Sequence, residues 1–228
     1  MQIPPYHAQW HPHSVTEERT CNDTTYPVRL VDGSTLILPL RPLPGGEKAI
    51  ALLMSNQTGF AVEGALVRLL TDMVRELAPE VIVGVPTMGL AYARPVAENL
   101  GFSDYVALGH SRKFWYDDAL SQCLTSSTSP DRAKHLYLDP ALVERVRGRR
   151  VVVMDDVLNT GRTAAAAIQL MQKVEAQVIG ITAVLTEGWA WQAELERSDP
   201  DMPGLVHALG HIPMFGRTDG GWRPLADT

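Results

Sequence analysis

The alternation of apolar and polar positions changes character along the chain at about residue 80. Beyond it, short continuously apolar runs recur: Val81-Ile82-Val83-Gly84-Val85, Tyr105-Val106-Ala107-Leu108, Val151-Val152-Val153-Met154 and Val178 to Leu185. Each reads as a buried strand. Between them lie a helix ending near Leu100-Gly101, where Gly101 suits a left-handed cap, and an Ala-rich helix from about Gly161 to Val174. Strands apolar on both faces and alternating with helices predict an α/β fold with a central, mainly parallel sheet flanked by helices.

Ahead of this region, Leu66, Leu69, Leu70, Met73 and Val74 repeat at helical spacing within Phe60–Leu77, and Pro79 stops that helix. Val28-Arg29-Leu30 and Thr35-Leu36-Ile37-Leu38 flank an Asp32-Gly33 turn and read as a β-hairpin. Residues 1–26 are polar and irregular, and residues 39–46 form a Pro- and Gly-rich loop. A polar stretch over 109–133 shows no regular period, with His135-Leu136-Tyr137-Leu138 as a strand beyond it; loops of that length are usually functional or mobile. Residues 186–228 do not continue the pattern and read as an irregular cap carrying Trp189, Trp191 and Trp222. Three stretches are therefore expected: 1–58, 59–185 and 186–228.

Ligands of such sheets bind outside the carboxyl ends of the strands. The loops at Pro86–Gly89 and at Asp155–Thr163 both lie at that end, and the long polar loop follows the strand between them in sequence. All three are expected to converge on one crevice.

A chain of 228 residues can bury a substantial core, and its formal net charge of -6 argues against a nucleic-acid-binding surface. Cys21 and Cys123 make neither a disulfide framework nor a paired zinc spacing. No apolar run reaches the length of a membrane span, and Met1-Gln2-Ile3-Pro4-Pro5 lacks a secretory pattern. A cytoplasmic protein is the expectation. His7, His11 and His13 sit in a Pro-rich segment without acid or Cys partners and read as a surface cluster rather than a metal site.

The chemistry concentrates in Val151–Thr163. An apolar strand ends in Asp155-Asp156, and Asn159-Thr160-Gly161-Arg162-Thr163 opens the next helix. The acid pair alone is compatible with a solvated strand end. The Thr-Gly-x-Thr that follows decides between the readings: Gly161 permits close approach of backbone to ligand, and free N–H groups at the helix start favour an anion. Acceptors for sugar hydroxyls thus stand a few residues from a phosphate cradle. Other phosphate motifs are absent: there is no Gly-x-x-x-x-Gly-Lys-Ser/Thr and no Gly-x-Gly-x-x-Gly after a strand. No Gly-x-Ser-x-Gly supports a serine hydrolase.

The run Val151–Thr163 resembles the phosphoribosyl pyrophosphate (PRPP) loop of the type I phosphoribosyltransferases, and the strand and helix order from Phe60 to Leu185 is similar to that family's core. The resemblance implies the type I phosphoribosyltransferase fold, with a small hood at 1–58, a core at 59–185 and a C-terminal cap at 186–228. It implies that Asp155 and Asp156 accept hydrogen bonds from the ribose hydroxyls and that Asn159, Thr160, Gly161, Arg162 and Thr163 hold the 5′-phosphate. Pro86-Thr87-Met88-Gly89 takes the place of the pyrophosphate loop, which in the family often contains an unusual cis peptide. The segment from Ser111 takes the place of a flexible closing loop, with Arg112 and Lys113 as catalytic cations and Tyr116 as a gate residue; Asp117-Asp118 reads as a solvated or hinge element. The implied reaction is transfer of the phosphoribosyl group from PRPP to a nitrogenous base with release of pyrophosphate. The implied cofactor is Mg²⁺, carried by PRPP and touching Asp155 and Asp156, and the implied assembly is a homodimer.

For base choice, the amino-terminal hairpin resembles the adenine and orotate branches, the Arg112–Tyr116 loop resembles the adenine type, and one position weakens the 6-oxopurine reading. In the hypoxanthine–guanine branch the residue four after the first acid tends to be Asp; here it is Asn159, which cannot act as a general base. An adenine-type purine is the preferred acceptor and orotate the alternative. A PRPP- or nucleotide-sensing regulator of the same fold is the non-enzymatic alternative, disfavoured by the acidic charge and the lack of a helix-turn-helix pattern.

Overall fold

The computed structural model describes residues 5–13, 24–124, 134–226 and 228. In chain order it begins with strands β1 (Gln9–His11), β2 (Thr25–Arg29), β3 (Thr35–Pro42) and β4 (Lys48–Ala51), followed by helix α1 (Phe60–Leu77). Next come β5 (Val81–Gly84), α2 (Leu90–Asn99), β6 (Val106–Ala107), β7 (Ser121–Cys123), β8 (His135–Tyr137) and the short α3 (Val143–Val146). Then follow β9 (Arg150–Met154), β10 (Val157–Leu158), α4 (Arg162–Lys173), β11 (Gln177–Glu187) and α5 (Ala190–Glu196). The chain closes with β12 (Val206–Ile212), β13 (Phe215–Thr218) and β14 (Gly221–Pro224).

The central sheet is parallel throughout. β11 lies between β12 on one side and β9 with β10 on the other, and β9 leads on to β5 and β6. Its faces follow the period of two expected of strands. Ile82, Val152, Met154 and Val184 pack with Leu66, Leu70 and Val74 of α1 and with Tyr92, Ala93 and Val96 of α2. The intervening Val81, Val83, Val151 and Val153 pack with Ala166, Ala167, Leu170 and Met171 of α4 on the other side. The expected strands and helices of residues 60–185 are all present within a few residues of their predicted bounds.

A second, antiparallel sheet forms the small hood. β3 pairs with β2 and β1, then with β4; β4 pairs with β13, and β13 with β14. The Asp32-Gly33 turn between β2 and β3 stands as expected. Asp32 Oδ1 accepts from the Ser34 N–H at 3.0 Å and the Ser34 hydroxyl at 2.6 Å, and Gly33 has φ 85°.

Three expectations are corrected. Residues 186–228 are not an irregular cap: α5 and β12 extend the core, and β13 and β14 complete the hood, so the stretches 1–58, 59–185 and 186–228 do not coincide with the two sheets. β12 is an edge strand of mixed polarity, Val-His-Ala-Leu-Gly-His-Ile, and lacks the continuous apolar signature of its neighbours. Part of residues 1–26 is regular, because Gln9–His11 pairs with Thr35–Ile37. In the polar stretch, β7 pairs antiparallel with β8; residues 125–133 and Cys21 lie outside the described residues.

Candidate active site

The acid pair sits where β9 ends. The Asp155 N–H donates to the Thr182 carbonyl of β11 at 2.9 Å, and the Asp156 carbonyl accepts from Val184 N–H at 2.9 Å and Leu185 N–H at 3.2 Å. The two acids are thereby stitched to the neighbouring strand and cannot swing away. Asp155 is only 9% exposed, and one of its oxygens accepts the Asp156 N–H at 2.9 Å. Burial, and then the negative charge of Asp156, holds its carboxyl well above the usual carboxylate range. Asp156 is also raised by burial.

Four residues further on, the chain turns into α4. Gly161 has φ 76°, and a Cβ there would lie 2.9 Å from both the Cα and the carbonyl oxygen of Trp191. Both the backbone conformation and the close packing demand glycine. Gly161 is the N-cap of α4 and offers no side-chain cap, and the first turn holds no acid. The helix therefore starts with unpaired N–H groups and an uncompensated positive dipole end, the arrangement that receives an anion. A cavity of about 90 Å³ lies here, lined by Asp155, Asn159, Thr160, Gly161 and Thr163 among others. Arg162 points elsewhere: its Nε is 4.0 Å from Glu194, so its side chain faces away while its backbone serves the turn.

The Pro86–Gly89 loop packs against the same strand end. The Pro86–Thr87 peptide is cis, in the loop where the sequence resemblance places such a bond. Val85 N–H donates to the Met154 carbonyl at 2.9 Å. A Cβ on Gly89 would fall 2.7 Å from the Met154 and Val85 carbonyl oxygens and 2.8 Å from Asp155 Cα, so the loop lies directly on the strand end that carries the acids. His110 Nε2 lies 3.0 Å from the Pro86 carbonyl oxygen, tying this loop to the segment after β6.

A family model described as a phosphoribosyl transferase domain matches residues 55–199, which span both loops and the strands that carry them. The chain belongs to the phosphoribosyltransferase family. It is 34% identical over 136 residues to an adenine phosphoribosyltransferase of Gluconacetobacter diazotrophicus, covering 60% of this chain and 72% of that protein. It is 27% identical over 129 residues to an orotate phosphoribosyltransferase of Staphylococcus aureus, covering 56% of this chain and 53% of that one. Among solved structures, the adenine phosphoribosyltransferase of Thermoanaerobacter pseudethanolicus superposes with a TM-score of 0.54 at 18% identity, over 66% of this chain and 80% of that one. That likeness is one of fold.

Within this family fold, none of Ser111, Arg112, Lys113 or Tyr116 of the loop after β6 lines the cavity at the start of α4. Arg112 is engaged inside the loop: its Nε donates to Asp118 Oδ1 at 2.6 Å and its Nη2 to the Tyr116 carbonyl at 3.3 Å. Asp118, expected as a solvated or hinge element, is thus the partner of Arg112. Tyr116 rests on Tyr137, ring centroids 5.8 Å apart, and Trp115 Nε1 donates to Asp139 at 3.0 Å. Phe114 is 91% exposed, and Lys113 forms no ion pair among the described residues. The structure brings together the acid pair, the Asn159–Thr163 turn and the Pro86–Gly89 loop, and neither Arg112 nor Lys113 lines the cavity at the turn.

Two residues at the site carry no motif. Glu187, at the end of β11, accepts a hydrogen bond from the Asn159 amide, and burial raises its carboxyl. Trp191, which follows the last core strand of the sequence pattern, is buried behind Gly161 and donates through Nε1 to the Gly188 carbonyl at 3.1 Å. Trp189 stacks on His211 at 4.3 Å. Among the described residues no group of three or more His, Cys, Asp or Glu could hold a metal ion. No helix among them is long and apolar enough to cross a membrane.

Proposed function

We propose that this chain transfers the 5-phosphoribosyl group from PRPP to a nitrogen of an adenine-type purine, releasing pyrophosphate. One observation carries the reading: Asp155, the first of two adjacent acids at a strand end, and an uncapped helix start line one cavity, with a third loop packed against the same strand end, an arrangement that supports a ribose 5-phosphate as ligand. The adenine preference draws on the names of the relatives and on Asn159 standing where an acidic base would otherwise be.

Asp155 and Asp156 would accept hydrogen bonds from the ribose hydroxyls. The backbone of Asn159–Thr163 and the hydroxyls of Thr160 and Thr163 would donate to the 5′-phosphate. Pro86, Thr87, Met88 and Gly89 would border the pyrophosphate. Breaking the bond at the anomeric carbon builds positive charge on the ribose ring, as in glycoside cleavage, and negative charge on the leaving group. Lys113 is the cation available to meet that charge when its loop closes; Arg112 would first have to leave Asp118. Closure would also exclude the water that hydrolyses PRPP.

Mg²⁺ belongs to the proposal. Two adjacent carboxylates whose ionisation is opposed by burial and mutual repulsion gain from a nearby cation, but they are too few to cage one. This ion is commonly bound through one or two carboxylates plus substrate phosphates, so Asp155 and Asp156 fit it with PRPP present. Bound there, it would neutralise charge on the leaving pyrophosphate. A homodimer is likewise proposed on the family resemblance, and a light-scattering mass of 25.0 kDa, that of one chain, would remove it.

The deciding experiment is pyrophosphate release from PRPP and Mg²⁺ with adenine, hypoxanthine, guanine and orotate in turn. Release with adenine well above the others supports the reading. Release with orotate alone replaces the acceptor, and PRPP binding without turnover on any base turns the protein into a sensor.

A further inference from the structure

Glu187 has no part in the transfer outlined above, yet it is 5% exposed and lies against the phosphate turn. Twenty-eight positions separate it from Asn159. They meet because β10, immediately before Asn159, pairs with the end of β11, Val157 with Leu185 and Leu158 with Thr186. Asn159 Nδ2 donates to Glu187 Oε2, while Oε1 is buried and has no partner among the described residues. Asn159 is therefore the side chain that holds this carboxylate.

The pairing has a direction. Here Glu187 Oε2 accepts from Asn159 Nδ2, and an amide that donates at one end accepts at the other. Glu187 therefore engages the NH₂ end of Asn159 and leaves Oδ1 as the amide's remaining acceptor, in a residue that lines the ribose-phosphate cavity. The other end of the same turn is held by the next few residues after Glu187, since Trp191 backs Gly161. The segment 187–191 thus grips the turn at Asn159 through a hydrogen bond and at Gly161 through packing. The second grip is apolar and fixes where the turn lies. The first is polar and fixes how its amide is oriented.

We propose that Glu187 is a positioning residue for PRPP binding: by orienting the Asn159 amide, it holds the turn in the form that receives the 5′-phosphate. This rests on the reading of Asp155–Thr163 as the PRPP site. The test is PRPP affinity by calorimetry in the presence of Mg²⁺ for the wild-type chain, Glu187→Ala, Asn159→Ala and the double variant, with a thermal melt of each. Glu187→Ala is expected to weaken PRPP binding about tenfold, the lower end of what loss of a supporting partner costs a binding group. Asn159→Ala should weaken it comparably, and the double variant should be no worse than either alone, because the two act as one unit. A purely structural Glu187 would lower the melting temperature and would weaken binding in the Asn159→Ala background as well. Glu187→Gln, which keeps the shape but no longer dictates the amide's orientation, carries the same cycle if the alanine variant does not fold. Binding within about twofold of wild type for Glu187→Ala, or an equal loss with and without Asn159, overturns the proposal. The parent reading fails separately: if Asp155→Asn with Asp156→Asn still binds PRPP, the site itself is misassigned. If that variant loses PRPP and the Glu187 variants do not, only the positioning role falls.

Discussion

At the scale of single residues, the site holds groups that work against the fold, and this gives each a measurable sign. Asp155 has its carboxyl raised by burial and by Asp156, above the 3.8 of an unfolded chain. A carboxyl raised in the folded state contributes stability below its unfolded value and loses it as pH climbs through the folded value. At neutral pH, well above the unfolded value, this carboxyl therefore costs the ligand-free protein stability. Asp155→Asn should raise the denaturant midpoint at pH 7, with a gain that shrinks as pH falls toward 3.8; an unchanged midpoint at pH 7 would contradict the burial argument. Gly161 gives the opposite sign. Gly161→Ala places a Cβ 2.9 Å from the Trp191 backbone at φ 76°, and should cost about 1–3 kcal/mol in chemical denaturation while weakening PRPP binding. The acids and the glycine were legible in the sequence because they share one thirteen-residue run, Val151–Thr163. Glu187 was not, because its only signal is a contact across twenty-eight positions. The outward turn of Arg162 toward Glu194 was equally hidden, since a loop motif does not say which members act through backbone alone.

At the scale of elements, legibility followed burial. β5, β9 and most of β11 are covered on both faces and read as unbroken apolar runs. β12 is a sheet edge of mixed polarity, and although β13 and β14 form a local hairpin across Asp219-Gly220, they join the hood only through β4, far away in sequence, so the sequence pattern did not assign them to it. The loop after β6 was recognised as an element but not as a scaffold with its own contacts. Its internal Arg112–Asp118 pair makes the two cations unequal. Lys113→Ala should lower kcat about 10²-fold, the effect of removing one charge that meets the leaving group, with little change in melting temperature. If Arg112 is instead a strut, Asp118→Ala should reproduce whatever Arg112→Ala does to kcat and KM. A large kcat loss for Arg112→Ala with a normal Asp118→Ala would show that Arg112 itself reaches the reacting centre.

At the scale of the whole molecule, the hood and the core sheet are parts of one packed body. A single hydrophobic cluster runs from Leu36, Leu38 and Phe215 of the hood through Leu66 and Leu70 of α1 to Ile82, Val152 and Met154 of the core sheet. Phe215 sits at the join. It is fully buried, its strand covers the edge of β4, and its ring meets Tyr26 edge-on at 4.9 Å. The C-terminal residues thus close the sheet that begins near the other end of the chain, which is why reading them as a separate cap misplaced them. The consequence is cooperative. Phe215→Ala should cost about 3–5 kcal/mol, as expected for emptying a fully buried aromatic site. Because the cluster is continuous, the loss should appear as one unfolding transition at lower denaturant when hood and core are followed by separate probes, Trp222 fluorescence and far-ultraviolet dichroism. An independent cap would behave differently: the variant would leave the main transition in place and produce an early one confined to the Trp222 signal. Coincident transitions that shift together would establish that the hood over the crevice shares the stability of the sheet that carries Asp155 and Asp156.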